Sequence, residues 1–97
     1  MLRHIAMFRF SPEAPADAAR SLEEGLTRIR ETVETIAAYT FGPDRGLRDG
    51  NYDFAVVADF ENEDDFRTYV DHPEHQAFIR ERLSPVISER VSLQFER

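Results

Sequence analysis

The chain begins with an alternation of side chains that predicts a β-strand over Leu2–Phe10. Strict alternation puts two sets of residues on opposite faces of that strand, and both sets carry large apolar side chains near its middle. Neither face is therefore suited to contact with water. We expect this first strand to be covered on both sides.

Two later stretches show the spacing of amphipathic helices. From about Asp17 the apolar positions recur at alternating intervals of four and three residues, at Leu22, Leu26, Ile29, Val33 and Ile36. A second helical pattern follows Asn62, a residue type that caps helix N-termini, and ends at Ser84-Pro85. Pro73 interrupts it, because proline lacks a backbone N–H and biases His72 away from helical torsions. We therefore predict a break between two helical pieces.

Three further strands complete the pattern. They are predicted at Ala38–Phe41, at Tyr52–Phe60 and at Val91–Phe95, and the glycine-rich segment 42–51 reads as the one long loop. The element order is β-α-β-β-α-β, which predicts an α+β, ferredoxin-like fold with a four-stranded antiparallel sheet.

Both helices of such a fold lie on one face of the sheet, which leaves the other face open. We expect the open face to carry large apolar residues, namely Leu2, Ala6, Phe8, Phe54, Val56 and Phe60. An exposed patch of that kind marks an interaction surface. The sequence therefore predicts a homodimer in which two sheets face each other.

Composition narrows the possible functions. The 97 residues are expected to form one domain, residues 1–97, and 12 basic against 19 acidic residues give a net charge of −7, which disfavours nucleic acid as a partner. All basic residues are arginine, so Schiff-base chemistry through lysine is excluded, and the absence of cysteine excludes thiolate chemistry. No long apolar run or signal-type N-terminus is present, and we expect a soluble, cytoplasmic protein without a membrane partner.

The run Tyr69–His75 combines a phenol, two imidazoles and a proline within one predicted helix break. An imidazole exchanges protons near neutral pH, so His75 is a candidate base and Tyr69 a candidate partner that holds or protonates a substrate oxygen. The alternative is structural: Tyr69 packs on the sheet and His75 binds backbone at the break. The histidines and nearby carboxylates match no compact ligand spacing, so no metal site is predicted.

Together, four features resemble the stress-responsive dimeric α/β-barrel (Dabb) family: His4, the opening Gly50–Asp53 of the third strand, Phe60, and the run Tyr69–His75. The resemblance covers nearly the whole chain. It implies two ferredoxin-like subunits that dimerise into an α/β barrel, with a pocket in each subunit.

The family includes polyketide cyclases of the olivetolic acid cyclase type, in which a histidine acts as general base with an upstream tyrosine. By resemblance these roles fall on His75 and Tyr69, and a first-strand pocket histidine falls on His4. The cyclases have a further pocket histidine where this chain has Phe54, which argues against the same substrate.

The sequence thus predicts a pocket for a hydrophobic or aromatic small molecule without a cofactor, and the expected lining residues are His4, Phe8, Phe54, Tyr69, His75 and Phe78. If the protein is an enzyme, cyclase- or lyase-type acid–base catalysis by His75 and Tyr69 is expected. Two alternatives stay open: a non-catalytic dimeric stress or accessory protein, and a cofactor-free monooxygenase-like enzyme.

Overall fold

The computed structural model describes all residues, Met1–Arg97, and contains the predicted order of elements. The strands are β1 (Leu2–Phe10), β2 (Ala38–Pro43), β3 (Phe54–Phe60) and β4 (Ile87–Glu96). The helices are α1 (Ala18–Thr32), α2 (Glu63–Asp71) and α3 (Pro73–Phe78), and α3 continues through a π-helical turn (Ile79–Leu83) and a 3-10 turn (Ser84–Val86).

The four strands form one antiparallel sheet in the order β2-β3-β1-β4. The ferredoxin-like prediction is therefore confirmed. None of the helices is both long enough and apolar enough to cross a lipid bilayer.

The predicted helix break lies where Pro73 places it, between α2 and α3. The Asn62 side chain caps α2 by accepting a hydrogen bond from the Asp65 backbone N–H at 2.8 Å. At the break, Nδ1 of His72 accepts from the Glu74 backbone N–H at 3.1 Å, and Pro73 occupies the first turn of α3. His72 is thus a helix cap that starts α3.

Helix α1 is shorter than its apolar stripe. It ends at Thr32, and the backbone N–H of Val33 closes the last turn by donating to the Ile29 carbonyl at 2.8 Å. Val33 is buried beyond the helix end, and Ile36 packs against the core from the turn that follows. The apolar spacing continued because the connection to β2 also faces the core.

The assignment of the two sheet faces was wrong. The residues expected on the open face lie on the helix-covered face and belong to the core, where Leu2, Ala6, Phe8, Phe54, Val56 and Phe60 are all buried. The open face carries the other members of each alternation, namely Ile5, Met7, Ala55, Val57, Val91, Leu93 and Phe95. Its largest exposed groups are on β4, where the Leu93 side chain is 56% exposed.

One ion pair lies beside this open apolar face. Nε and Nη2 of Arg3 donate to the two carboxylate oxygens of Asp59 at 2.8 and 2.9 Å, and Arg97 approaches the same carboxylate at 3.7 Å. The hydrogen bonds from Arg3 lower the pKa of Asp59. This pair satisfies a carboxylate that burial would otherwise make costly.

Candidate functional site

A cavity of about 260 Å³ lies between the helices and the helix-covered face of the sheet. Its lining comes from β1, α1, β3, the α2–α3 region and β4, and is mostly apolar: His4, Ala6, Phe8, Leu26, Val56, Phe66, Tyr69, Val70, His75, Phe78, Ile79, Leu83, Arg90, Ser92 and Gln94. A mostly apolar cavity with a few polar groups is typical of small-molecule sites.

His75 lies in the first turns of α3, beside Tyr69, with the two ring centres 4.3 Å apart. Its Nδ1 lies 3.1 Å from the carbonyl oxygen of Val70, which can only accept, so Nδ1 carries the proton in the neutral ring. Nε2 then holds a lone pair. No protein group bonds Nε2, and no buried side-chain nitrogen in the structure lacks a partner, so Nε2 is accessible to solvent. His75 is one of the residues that line the cavity.

The tautomer of His4 is the opposite of the tautomer of His75. The amide Nε2 of Gln94 donates to Nδ1 of His4 at 2.9 Å, so the neutral ring carries its proton on Nε2. The ring lies among aromatic side chains, 5.1 Å from Phe66 and 6.2 Å from Tyr69 between centres. The cavity is therefore lined by one imidazole that can donate and another, His75, that can accept.

Burial keeps both rings neutral. It lowers the pKa of His4 to about 4, with a smaller contribution from His75. It also lowers the pKa of His75, which the hydrogen bond to Val70 partly offsets, and the positive charge of Arg90 lowers it further. Both histidines are consequently in the free-base form at neutral pH.

Tyr69 forms a buried pair with Tyr39 on β2, and the two hydroxyl oxygens are 2.8 Å apart. Burial raises the pKa of Tyr69 to about 12, and burial together with the neighbouring phenol raises that of Tyr39. Both phenols therefore stay protonated. Since one hydrogen bond uses one of the two protons, Tyr69 can still donate when Tyr39 donates to it.

Five of the six expected pocket residues line this cavity: His4, Phe8, Tyr69, His75 and Phe78. Phe54 does not. Its side chain is 1% exposed and packs near Phe8, with ring centres 6.4 Å apart, so it supports the cavity wall from within the core. The structure contains no group of three or more potential ligands arranged to hold a metal ion.

The polar edge of the cavity and the second phenol, Tyr39, are not among the site residues predicted from the sequence. Arg90, Ser92 and Gln94 alternate along β4 with the apolar residues of the open face, which is the signal that could have placed them on the cavity side. Tyr39 gave no such signal, because its strand is short and its partner lies 30 residues away along the chain.

The fold and the cavity define a class: small ferredoxin-like α+β proteins with a mostly apolar cavity between sheet and helices. Within that class the chain belongs to the stress responsive A/B barrel domain family, whose model matches residues 2–97. No curated protein matches the sequence.

Three solved structures are informative. A dimeric ferredoxin-like protein of unknown function from Thermobifida fusca is 41% identical, with a TM-score of 0.92 over 99% of this chain and 90% of that one. A dimeric protein of unknown function with a ferredoxin-like fold from Bacteroides fragilis is 23% identical, with a TM-score of 0.84 over 99% and 95%. A hydroxynitrile lyase from Passiflora edulis is 18% identical, with a TM-score of 0.83 over 97% and 90%.

Proposed function

We propose that the protein binds a hydrophobic or aromatic small molecule in this cavity and transfers a proton to or from it, with His75 as the base. The observation that carries the proposal is the free Nε2 of His75. The tautomer of His75 is fixed by the Val70 carbonyl, and Nε2 has no protein partner in a residue that lines a mostly apolar cavity. A positioned, neutral imidazole is suited to general-base catalysis at neutral pH.

The cavity also supplies donors for the charge that develops when a proton is removed. In a cyclase-type step, Nε2 of His75 takes the proton from a carbon next to a carbonyl, the C–H electron pair forms the C=C bond of an enolate, and the charge moves to the carbonyl oxygen. In a lyase-type step, Nε2 takes the proton of a hydroxyl group, the oxygen forms a C=O bond, and the adjacent C–C bond breaks so that the leaving carbon keeps its electron pair. Nε2–H of His4 can donate to an oxygen, and so can the hydroxyl of Tyr69 when Tyr39 donates to it. Such donors stabilise a developing oxyanion. This step needs no cofactor.

The protein that carries out this chemistry is proposed to be a homodimer. The open sheet face presents a band of apolar side chains, and the 41% identical structure from Thermobifida fusca is that of a dimeric protein. Apolar area contributes roughly 25 cal/mol per Å² when it is buried, so pairing two such faces stabilises the association.

A thermal-shift panel of aromatic acids, quinones and polyketide-like phenols tests the proposed function. We expect at least one compound to raise the melting temperature of the wild type, and His75→Ala to lose that shift or any turnover while its own melting temperature stays nearly unchanged. His72→Asn is the matched control, because asparagine preserves the helix cap and removes an imidazole outside the cavity.

Several results contradict the proposal. If no compound stabilises the wild type, the cavity is not a ligand site and the non-catalytic dimer is the better account. If His75→Ala loses stability as well as the ligand response, His75 is structural. Consumption of oxygen with a bound compound points instead to the monooxygenase-like reaction.

A further inference from the structure

One edge of the cavity is polar, and that edge is strand β4. Arg90, Ser92 and Gln94 face the cavity, while Val91 and Leu93 between them face the open side of the sheet. Apart from the histidines and Tyr69, the rest of the lining is apolar. A molecule that fills this cavity is therefore expected to have one polar end and an apolar body.

Arg90 gives this edge a positive charge, and no carboxylate pairs with it. Eight of the twelve arginines form ion pairs with carboxylates, at positions 3, 9, 20, 28, 67, 80, 82 and 97. Of the others, Arg30 lies over the ring of Phe41, and Arg45 and Arg48 belong to the exposed loop before β3. Only Arg90 lines the cavity without an ion-pair partner.

No carboxylate is available to Arg90 within the site. None of the lining residues is acidic, and the neighbouring Glu89 is engaged by Arg9 at 3.5 Å and by the Tyr52 hydroxyl at 2.9 Å. In a protein of net charge −7, an unpaired guanidinium at the edge of an apolar cavity marks the place where an anion is favoured.

We propose that the ligand is a small aromatic or aliphatic carboxylic acid, whose carboxylate pairs with Arg90 while its apolar body lies among Phe8, Phe66 and Phe78. This inference rests on the proposed function and specifies its substrate class. The planar guanidinium binds a carboxylate through two parallel hydrogen bonds, and the Ser92 hydroxyl is a further donor on the same edge.

Anion binding at Arg90 has a consequence for the base. The positive charge of Arg90 adds to burial in lowering the pKa of His75. A carboxylate that neutralises Arg90 removes that contribution, so the bound acid makes His75 a stronger base than it is in the free protein.

Calorimetric titration at pH 7.5 with 3-phenylpropanoate and with its uncharged amide analogue, 3-phenylpropanamide, tests the inference. The two probes differ in charge and hardly in shape. We expect wild type to bind the acid about 10- to 100-fold more tightly than the amide, which is the effect of a charge-assisted hydrogen bond. Arg90→Gln should lose that preference and keep its weak binding of the amide. Arg48→Gln, which removes an equal charge in the exposed loop, should behave as wild type.

The inference is overturned if the acid has no advantage over the amide in wild type, if Arg90→Gln keeps the advantage, or if wild type binds neither probe. In each of these cases the proposed function survives as long as an uncharged aromatic compound still stabilises wild type and not His75→Ala. Loss of the dimer in sedimentation of Arg90→Gln also overturns it, because Arg90 would then be a subunit contact. The side chain is exposed and unpaired, so the variant is expected to fold.

Discussion

At the scale of single residues, the partner of one ring nitrogen decides what each histidine does. Nδ1 of His72 accepts from a backbone N–H and caps a helix, whereas Nδ1 of His75 faces a carbonyl and must carry the proton. Nδ1 of His4 accepts from Gln94, so the ring of this cavity-lining residue carries its proton on Nε2. The cavity is thus lined by one imidazole, His4, that can donate a hydrogen bond and by another, His75, that can accept one.

The burial of His4 predicts a stability that depends on pH. The unfolded chain binds a proton at His4 near pH 6.5, whereas the pKa of His4 in the folded protein is lowered to about 4. Between those values the unfolded state holds more protons, so the free energy of unfolding falls as the pH drops and this contribution levels off below about 4.

His4→Gln should therefore flatten the pH dependence by up to about 2 kcal/mol, a figure reduced because the ring is partly exposed to solvent. Urea unfolding of wild type and variant at pH 7 and pH 4.5 measures the difference. If wild type and His4→Gln lose the same free energy of unfolding between pH 7 and pH 4.5, the pKa of His4 is not lowered in the folded protein.

The candidate residues can be identified from the sequence, but their tautomers and hydrogen-bond partners cannot. The run at the helix break and the family resemblance point to Tyr69, His75 and His4. Their tautomers and partners depend on contacts such as Gln94, which is 90 residues from His4 along the chain. Tyr39 was missed for the same reason, since its hydroxyl meets Tyr69 only in the folded protein.

At the scale of elements, the position of α3 against α1 determines the shape of the cavity. The two helices meet at Gly25, where an added Cβ would lie 2.6 Å from Phe78 Cδ1 and 2.6 Å from Arg82 Cδ. Phe78 is buried and lines the cavity. The absence of a side chain at position 25 therefore lets α3 and its histidine lie close to the core.

Gly25→Ala should be destabilising despite the better helix propensity of alanine. Alanine favours the helix by about 1 kcal/mol, but overpacking against the buried ring of Phe78 costs about 1–3 kcal/mol. We expect a lower melting temperature and weaker ligand binding, because the ring is pushed toward the cavity. Gly42→Ala, which has nothing within 4 Å of the added Cβ, is the control. A Gly25→Ala protein as stable as wild type would show that α3 moves freely.

Local sequence signals predicted the order of helices and strands. They did not predict which face of the sheet the helices cover. Proline and the capping residues identified the break between α2 and α3. The prediction of the helix-covered face was wrong because both faces of β1 and of β3 are apolar. Alternation alone therefore cannot identify the face that the helices cover. The register between β1 and β4, with Ile5 opposite Leu93, was needed to identify the open face.

At the scale of the whole molecule, the sheet has two roles. Its helix-covered face carries the core and the cavity, and its open face presents exposed apolar groups, among them Met7, Val91, Leu93 and Phe95. Because alternate residues of β4 serve the two faces, the strand that presents Arg90 to the cavity also presents Leu93 to the proposed subunit interface.

Leu93→Glu should convert the protein to a monomer, since a carboxylate on that face is unfavourable to bury. Sedimentation at micromolar concentration should give twice the chain mass of 11.3 kDa for wild type and that mass for the variant. Leu47→Glu places the same change on a side chain 81% exposed in a loop and should leave the dimer intact. A monomeric wild type would contradict the assignment of this face to self-association.

The central claim is that His75 presents a free lone pair to the cavity. The most direct test is a long-range ¹H–¹⁵N spectrum of protein labelled at histidine nitrogen, recorded at pH 7.5 with and without a compound that stabilises the fold. We predict that Nδ1 of His75 carries the proton, that Nε2 does not, and that the Nε2 resonance shifts when the compound binds. A proton on Nε2 in the free protein, or an Nε2 resonance unchanged by the bound compound, would contradict the claim.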